Sequence, residues 1–446
     1  MRVRKTVYLL ASLLLSAFSF NAQAQYAGTS SPYSRYGIGD LQTNEFVRNA
    51  ALGGSSIAVR DDSFPGYINF ANPASYSAFR FTILETGVKA NFENRQNNQT
   101  SENRTNVAMS YFSFGFPIKK LRSGLSFGLR HYSHIGYKIN DTLDLENVGT
   151  VNYQYLGDGG TNQFYLGLGG RVLDNDSLGK LSFGINASYL FGRLDNIRRV
   201  EPDTLNALDL RLTNTTNMAD FFFNYGMQYD LKLKKNMMIG IGAVYSASTK
   251  IKGSRTILAE RYRITPTTSG NYESVQDTAE YIKSQPGNVT IPQAWGLGFS
   301  IQKLEKWMFT ADYSSQNWSD YQAFGETDNL ADSWRASVGF EFSPDKHSDR
   351  KGEFFKRVAY RFGGYYSNTY LQLHGSQLND YGITFGFGLP IGRSKVAGTL
   401  TQSIANIAVE LGQRGTLDND LIKENYINLR IGFTLNDNWF NQRKYD

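Results

Sequence analysis

The stretch Ile427-Asn428-Leu429-Arg430-Ile431-Gly432-Phe433-Thr434-Leu435 decides the fold. Its apolar residues fall at every second position, and those between them are polar, charged or glycine. A period of two places the two sets on opposite faces of an extended strand. The alternation recurs upstream, where Tyr381, Ile383, Phe385, Phe387 and Leu389 interleave with Gly382, Thr384, Gly386 and Gly388. Further back, Trp334, Ala336, Val338, Phe340 and Phe342 oppose Arg335, Ser337, Gly339 and Glu341. Repetition of one greasy and one polar face fits an antiparallel sheet closed into a transmembrane β-barrel, with hydrocarbon outside and a separate lumen. On this reading Ile431 faces lipid and Arg430 faces away, so Ile431→Arg is expected to be costly and Arg430→Ala mild.

Working outward from that stretch, alternation predicts fourteen strands. The first seven are Phe79 to Phe92, Arg104 to Phe116, Arg122 to Ile139, Thr161 to Leu173, Lys180 to Leu194, Asp209 to Leu231 and Asn236 to Ile251. The second seven are Thr290 to Ile301, Lys306 to Gln316, Asp332 to Phe342, Lys356 to Asn368, Asp380 to Leu389, Lys395 to Leu411 and Glu424 to Leu435. An even count puts both chain ends on the periplasmic side. Connection lengths agree with that orientation. The outward ones, such as Lys138 to Gly160, Lys252 to Val289 and Asn317 to Ala331, are long, whereas Pro117 to Leu121, Lys232 to Lys235, Gln302 to Glu305 and Pro390 to Ser394 are short inward turns. Ser343 to Phe355 is an inward turn of unusual length. The polar stretches Asn91 to Arg104 and Lys252 to Asn288 read as solvated extracellular loops. Pro117, Pro292, Pro344 and Pro390 stand at strand ends, where a missing ladder donor does little harm.

Composition bounds the alternatives. There is no cysteine, which excludes a disulfide scaffold and a thiolate metal site or nucleophile. Past the first residues no apolar run approaches the length of a spanning helix, whereas barrel strands need apolar side chains on one face only. The 43 glycines, with 28 tyrosines and 30 phenylalanines against 10 prolines, lean towards strands. The formal charge of +6 owes half its value to Arg2, Arg4 and Lys5, so no nucleic-acid partner is implied. Those three residues precede the apolar run Val7 to Phe20, and Ala22-Gln23-Ala24 follows with a small-x-small cleavage pattern. Residues 1–24 therefore read as a signal peptide directing export to a Gram-negative outer membrane.

Residues 25–78 precede the barrel, which is expected to occupy residues 79–446. Their alternation is weak, and a fourteen-stranded lumen is too wide for wall side chains alone to fill, so they are expected to fold inward as a hatch. Ala51-Leu52-Gly53-Gly54-Ser55-Ser56-Ile57-Ala58-Val59, followed by Asp61-Asp62 and then Asn72-Pro73-Ala74, resembles the hatch of the FadL/TodX family of outer-membrane hydrophobic-compound transporters. Ser31 to Asp40 also resembles the opening of a divergent branch of such barrels. Ser75 stands where that family commonly has glycine. The resemblance implies a hatch built on Gly53, Gly54, Asn72, Pro73 and Ala74. The residues alone give Asn72-Pro73 a plainer reading as a turn into the first strand, since proline fixes its own φ and restricts the residue before it.

No constellation points to catalysis or a metal. His131 and His134 lie three apart on a predicted strand, hence on opposite faces, and His347 and His374 fall in connections. Gly157-Asp158-Gly159-Gly160 lacks the lysine and helix of a phosphate loop. The expected protein is a non-enzyme without cofactor, with membrane lipid and a hydrophobic ligand as its partners. The resemblance implies passive uptake of hydrophobic small molecules such as long-chain fatty acids, with exit through a gap opened by hatch movement or a strand kink; the strand bearing Gly124, Gly128 and Gly136 is nominated as the weakest local wall. The alternative is a non-transporting barrel serving a secretion system or surface assembly. An apolar lumen favours the first and a polar, filled lumen the second.

Overall fold

The computed structural model describes residues 31–437, apart from residues 44–45, 61–65, 147–148, 176, 204–206, 234–235, 268–269, 347, 349–352 and 397–398. The expected signal peptide, Asp61-Asp62 and His347 lie outside the described residues.

Where apolar and polar residues alternate, each strand can bury one face and leave the other to hydrocarbon, and the ladders follow from that constraint. In chain order β1 (Asp40–Leu41) is followed by β2 (Thr82–Gln96), β3 (Ser101–Lys119), β4 (Ser123–Leu145), β5 (Gly149–Asn175) and β6 (Gly179–Pro202). Next come β7 (Asp209–Lys232), β8 (Met237–Ser246), β9 (Thr249–Thr267), β10 (Gly270–Ile291), β11 (Ala294–Lys303) and β12 (Trp307–Gln316). The last are β13 (Gln322–Ala323), β14 (Ser333–Phe342), β15 (Ala359–Leu373), β16 (Ser376–Val396), β17 (Thr399–Arg414) and β18 (Lys423–Asp437). Antiparallel ladders join β2 through β8 in order, then β8 to β11, β11 to β12, β12 to β14, and β14 through β18. The ladder from Lys423↔Gln96 to Asp437↔Thr82 joins β18 back to β2 and closes a barrel of 14 strands.

The faces fall as the alternation requires. Ile427, Phe433 and Leu435 are exposed on the outer wall, while Asn428, Arg430 and Thr434 are buried in the lumen. An outer row of aromatics, Trp295, Tyr313, Trp334, Tyr366 and Tyr381, crosses five adjacent strands from β11 to β16 through successive ring contacts. Such girdles sit where hydrocarbon meets head groups.

Three expected loops are corrected. Residues 252–288 form most of a tall hairpin, β9 with β10, rather than an irregular loop. Its β9 strand pairs with the outer half of β7, from Asp209↔Tyr262 to Met218↔Gly253, while β8 takes the inner half. The expected strand Asn236 to Ile251 is accordingly split between β8 and β9. Lys138 to Gly160 continues the β4–β5 ladder outward, and Asn91 to Arg104 is mostly β2 and β3 around a turn at residues 97–100. The cause is common to all three. Above the membrane both faces of a strand meet water or protein, so its sequence need not alternate, yet its backbone groups still seek partners.

Candidate functional site

The lumen is occupied by the segment that precedes β2. Its elements are short: a 3-10 turn at Pro32–Arg35, β1, a single helical turn α1 (Val47–Ala50), and a second 3-10 turn at Pro73–Ala78. Almost every described residue from Phe46 to Arg60 is buried, although nothing in the segment is long enough to build a core of its own. Burial comes from the wall, whose inward positions carry small residues at the points of contact.

The sequence-nominated residues lie at those points. Gly53 adopts φ +69°, a left-handed conformation that favours glycine, and a Cβ there would stand 2.5 Å from the Gly364 carbonyl oxygen. Its N–H donates to Thr384 Oγ1 at 2.9 Å, and its carbonyl accepts from Arg335 Nη2 at 3.1 Å. Gly54 is likewise left-handed and donates its N–H to the Asn49 carbonyl at 3.0 Å. Asn72 is wholly buried and caps the second 3-10 turn, its Oδ1 accepting from Ala74 N at 3.1 Å. Its Nδ2 donates to the Ile57 carbonyl at 2.8 Å and to the Met227 carbonyl of β7 at 3.0 Å. One amide thus ties two parts of the segment to the wall. Pro73 and Ala74 lie against Gly184 and Pro73 against Gly226, where a side chain on the wall would collide with them. The bland reading of Asn72-Pro73 as a turn before β2 is met as well, since the local turn and the long-range anchor coexist.

Charged groups supply further ties. Arg48 Nη2 lies 3.1 Å from Glu341 Oε2, which also accepts from Arg361 Nε at 2.8 Å. Arg60 Nη1 lies 3.4 Å from Asp230 Oδ2 and donates to Ser182 Oγ at 2.7 Å. Asp40 pairs with Arg414 at 2.9 Å, and Asp312 Oδ2 accepts from the N–H groups of Ser56 and Ile57 at 2.5 and 2.8 Å. These anchors fall on β6, β7, β12, β14 and β17, so the segment is held on several sides. Arg430 belongs to the same polar interior, 2.8 Å from Glu410. Its removal is accordingly expected to cost more than the alternation alone suggests.

The outer mouth is closed differently, by an apolar cluster. Tyr33 and Ile38 of the segment pack with Ile135, Leu190, Trp318 and Tyr370. Tyr33 donates its hydroxyl to the Ile422 carbonyl at 2.6 Å, yet burial pushes the phenol up to about 12. Burial likewise raises the Asp328 carboxyl in the outer connection, although it accepts the Gly37 N–H at 2.8 Å. Below this stopper a cavity of about 320 Å³ is lined by Asp40, Thr43, Phe70, Arg335, Asp380 and Arg414, among others.

The nominated exit strand, β4, has a mixed character. Gly124 packs on Tyr76 and Phe79, and Gly128 on Ser113, both within the paired part of the wall. Gly136 lies farther out, its N–H donating to Ser34 Oγ at 3.2 Å. Between them, at Arg130, the ladder to β3 ends. Sequence reasoning missed the ion pairs, because partners such as Arg60 and Asp230 are remote in the chain and carry no local signal.

Known proteins bear on this arrangement. The toluene transporter TbuX of Ralstonia pickettii is similar at 14% identity, over 89% of this chain and 99% of its own, with a TM-score of 0.56. The toluene transporter TodX of Pseudomonas putida is similar at 14% identity, over 91% of this chain and 100% of its own, with a TM-score of 0.54. At such identities the likeness is one of fold, and it bears out the expected resemblance to FadL/TodX-type barrels in a divergent branch. No curated protein matches the chain. The model of the family described as BamG matches residues 3–446, and with nearly the whole chain covered, this protein belongs to the BamG family.

Proposed function

We propose that this chain is an outer-membrane barrel that acts through its surfaces, as a non-transporting component of a surface-assembly or secretion machinery. The observation that carries this reading is the lumen segment, which the wall holds by several ion pairs and which leaves only a cavity of about 320 Å³ beneath the stopper. Residues 25–78 act as a hatch, pinned by Arg48–Glu341, Arg60–Asp230, Asp40–Arg414 and Asn72 beneath an apolar stopper. Opening a passage would require several of these pairs and hydrogen bonds to part together. Residues 1–24 deliver the chain to the membrane as a signal peptide. The test is depletion, followed by quantitative proteomics of the outer membrane. A broad fall in other surface proteins is expected, and unchanged levels would overturn the reading.

One observation favours a second reading, passive uptake of hydrophobic small molecules such as long-chain fatty acids. The wall parts between β3 and β4 in its outer half, beside the strand nominated for lateral exit. TbuX and TodX, whose fold this chain shares, are named as toluene transporters. Uptake of toluene and of oleate by cells with and without the protein separates the two readings. Loss of uptake with an unchanged surface proteome supports the channel.

A further inference from the structure

The parting of the wall is asymmetric. β3 is paired with β2 from Gly115 to Ser101, but with β4 only from Lys119 to Tyr111. Beyond Arg130, β4 turns inward. Ser133 and His134 pair with Leu41 and Asp40 of β1, the Tyr132 carbonyl accepts from Gln42 N at 2.9 Å, and the Tyr132 ring lies 5.8 Å from Phe222. This part of the β4 edge is therefore taken by the lumen segment. The facing edge of β3, Ser101–Ser110, has no strand partner among the described residues.

That edge is not wholly above the membrane. Val107 and Met109 are 54% and 50% exposed on the outer face, opposite Ala90 and Val88, and Val88 pairs in turn with Ile431 of the lipid-facing stripe. Hydrocarbon offers no hydrogen bonds, so an open sheet edge at that depth is strongly disfavoured.

We infer that Ser101–Ser110 is a docking edge at which a strand of a second membrane barrel is added, completing the wall. β3 runs inward, so the added strand runs outward from the periplasm, with apolar residues opposite Val107 and Met109. A second copy of this chain does not fit. Two copies in one membrane share an orientation, and an axis along the membrane normal would set N–H against N–H at equal height. An apolar groove of about 1160 Å³ on the outer wall begins at the same edge, with Asn103, Arg104 and Thr105 on its rim and Phe92, Leu411 and Ile427 in its lining. It gives the body of the partner a recess beside the added strand, the mode of recognition by strand addition.

The inference rests on the surface-assembly reading for the existence of a partner. A photoreactive benzoylphenylalanine placed in turn at Thr105, Val107 and Met109 of the full chain, in native outer membranes, tests it. Adducts are mapped by mass spectrometry, with Phe385 of the fully paired wall as control. The expected result is three adducts on one segment of one partner, stepping by two residues in the opposite direction, and none of that pattern from Phe385. Adducts with lipid or small molecules only, with a second copy, or scattered over a partner would overturn it. Amide exchange of the unaltered chain over residues 101–110 is expected to be at least tenfold slower in native membranes than in detergent after purification, and equal rates would overturn the inference too. Failure of these tests leaves the proteome change on depletion standing, whereas failure of the assembly reading abolishes that change.

Discussion

At the scale of single residues, Ile431 and Arg430 are neighbours in sequence with opposite surroundings. Ile431 lies on the outer wall, so Ile431→Arg is expected to cost about 2–4 kcal/mol at mid-bilayer, read as a lower folded fraction on a heat-modifiable gel after urea titration. Arg430→Ala removes one of the cations around buried Glu410, which keeps hydrogen bonds from Tyr365 and Asn428 and the nearby charges of Lys89 and Arg335. Its expected cost is about 1–3 kcal/mol in the same titration, the scale of one charged hydrogen bond rather than a mild change. Asn72→Ala strips a donor from the Ile57 and Met227 carbonyls in a site closed to water. The expected cost is about 1–3 kcal/mol, together with faster proteolysis of the lumen segment than of the barrel. Equal protection of the segment in the variant would show that Asn72 is only a turn residue.

At the scale of elements, the barrel and its outer additions are separable. The β9–β10 hairpin meets the wall through the outer half of β7 and a two-residue ladder with β13, whereas closure runs through β7–β8 and β8–β11. Replacing residues 252–288 by a short turn is expected to leave barrel folding intact, with the characteristic gel shift preserved. Loss of the folded band would place the hairpin inside the cooperative unit. The lumen segment is bound differently. Its short turns have few internal contacts, and each is held by wall residues hundreds of positions away, such as Gly53 by Thr384 and Arg335. Such a segment folds only onto a closed or closing wall, because its local elements are too short to persist alone.

At the scale of the whole molecule, two surfaces of opposite character bound the same wall. The outer one exposes Phe164, Leu166, Leu168, Phe221, Ile241 and many more, far beyond what a water-soluble protein tolerates in one band. The purified chain is therefore expected to stay monodisperse only with an amphiphile and to aggregate on its removal, as measured by light scattering. Persistence as a monodisperse species in plain buffer would overturn the membrane placement. The inner surface combines ion pairs with apolar clusters, and it is closed by contacts rather than by a covalent staple, since the chain has no cysteine.

The alternation of apolar and polar residues determined the strands of the membrane wall, their faces and their number, because a pleated strand between lipid and lumen must separate its side chains with a period of two. The motif around Gly53 and Asn72 was legible for a related reason, since left-handed and capped backbone demands particular residue types at fixed places. Tertiary structure alone decided which strands stand above the membrane, as β9 and β10 do, for no solvent asymmetry marks them in sequence. It also decided that Arg60 meets Asp230, that Arg430 meets Glu410, and that β4 leaves β3 at Arg130. Ion pairs and ladder ends depend on which distant segments closure of the cylinder brings together, and a local pattern carries no record of that.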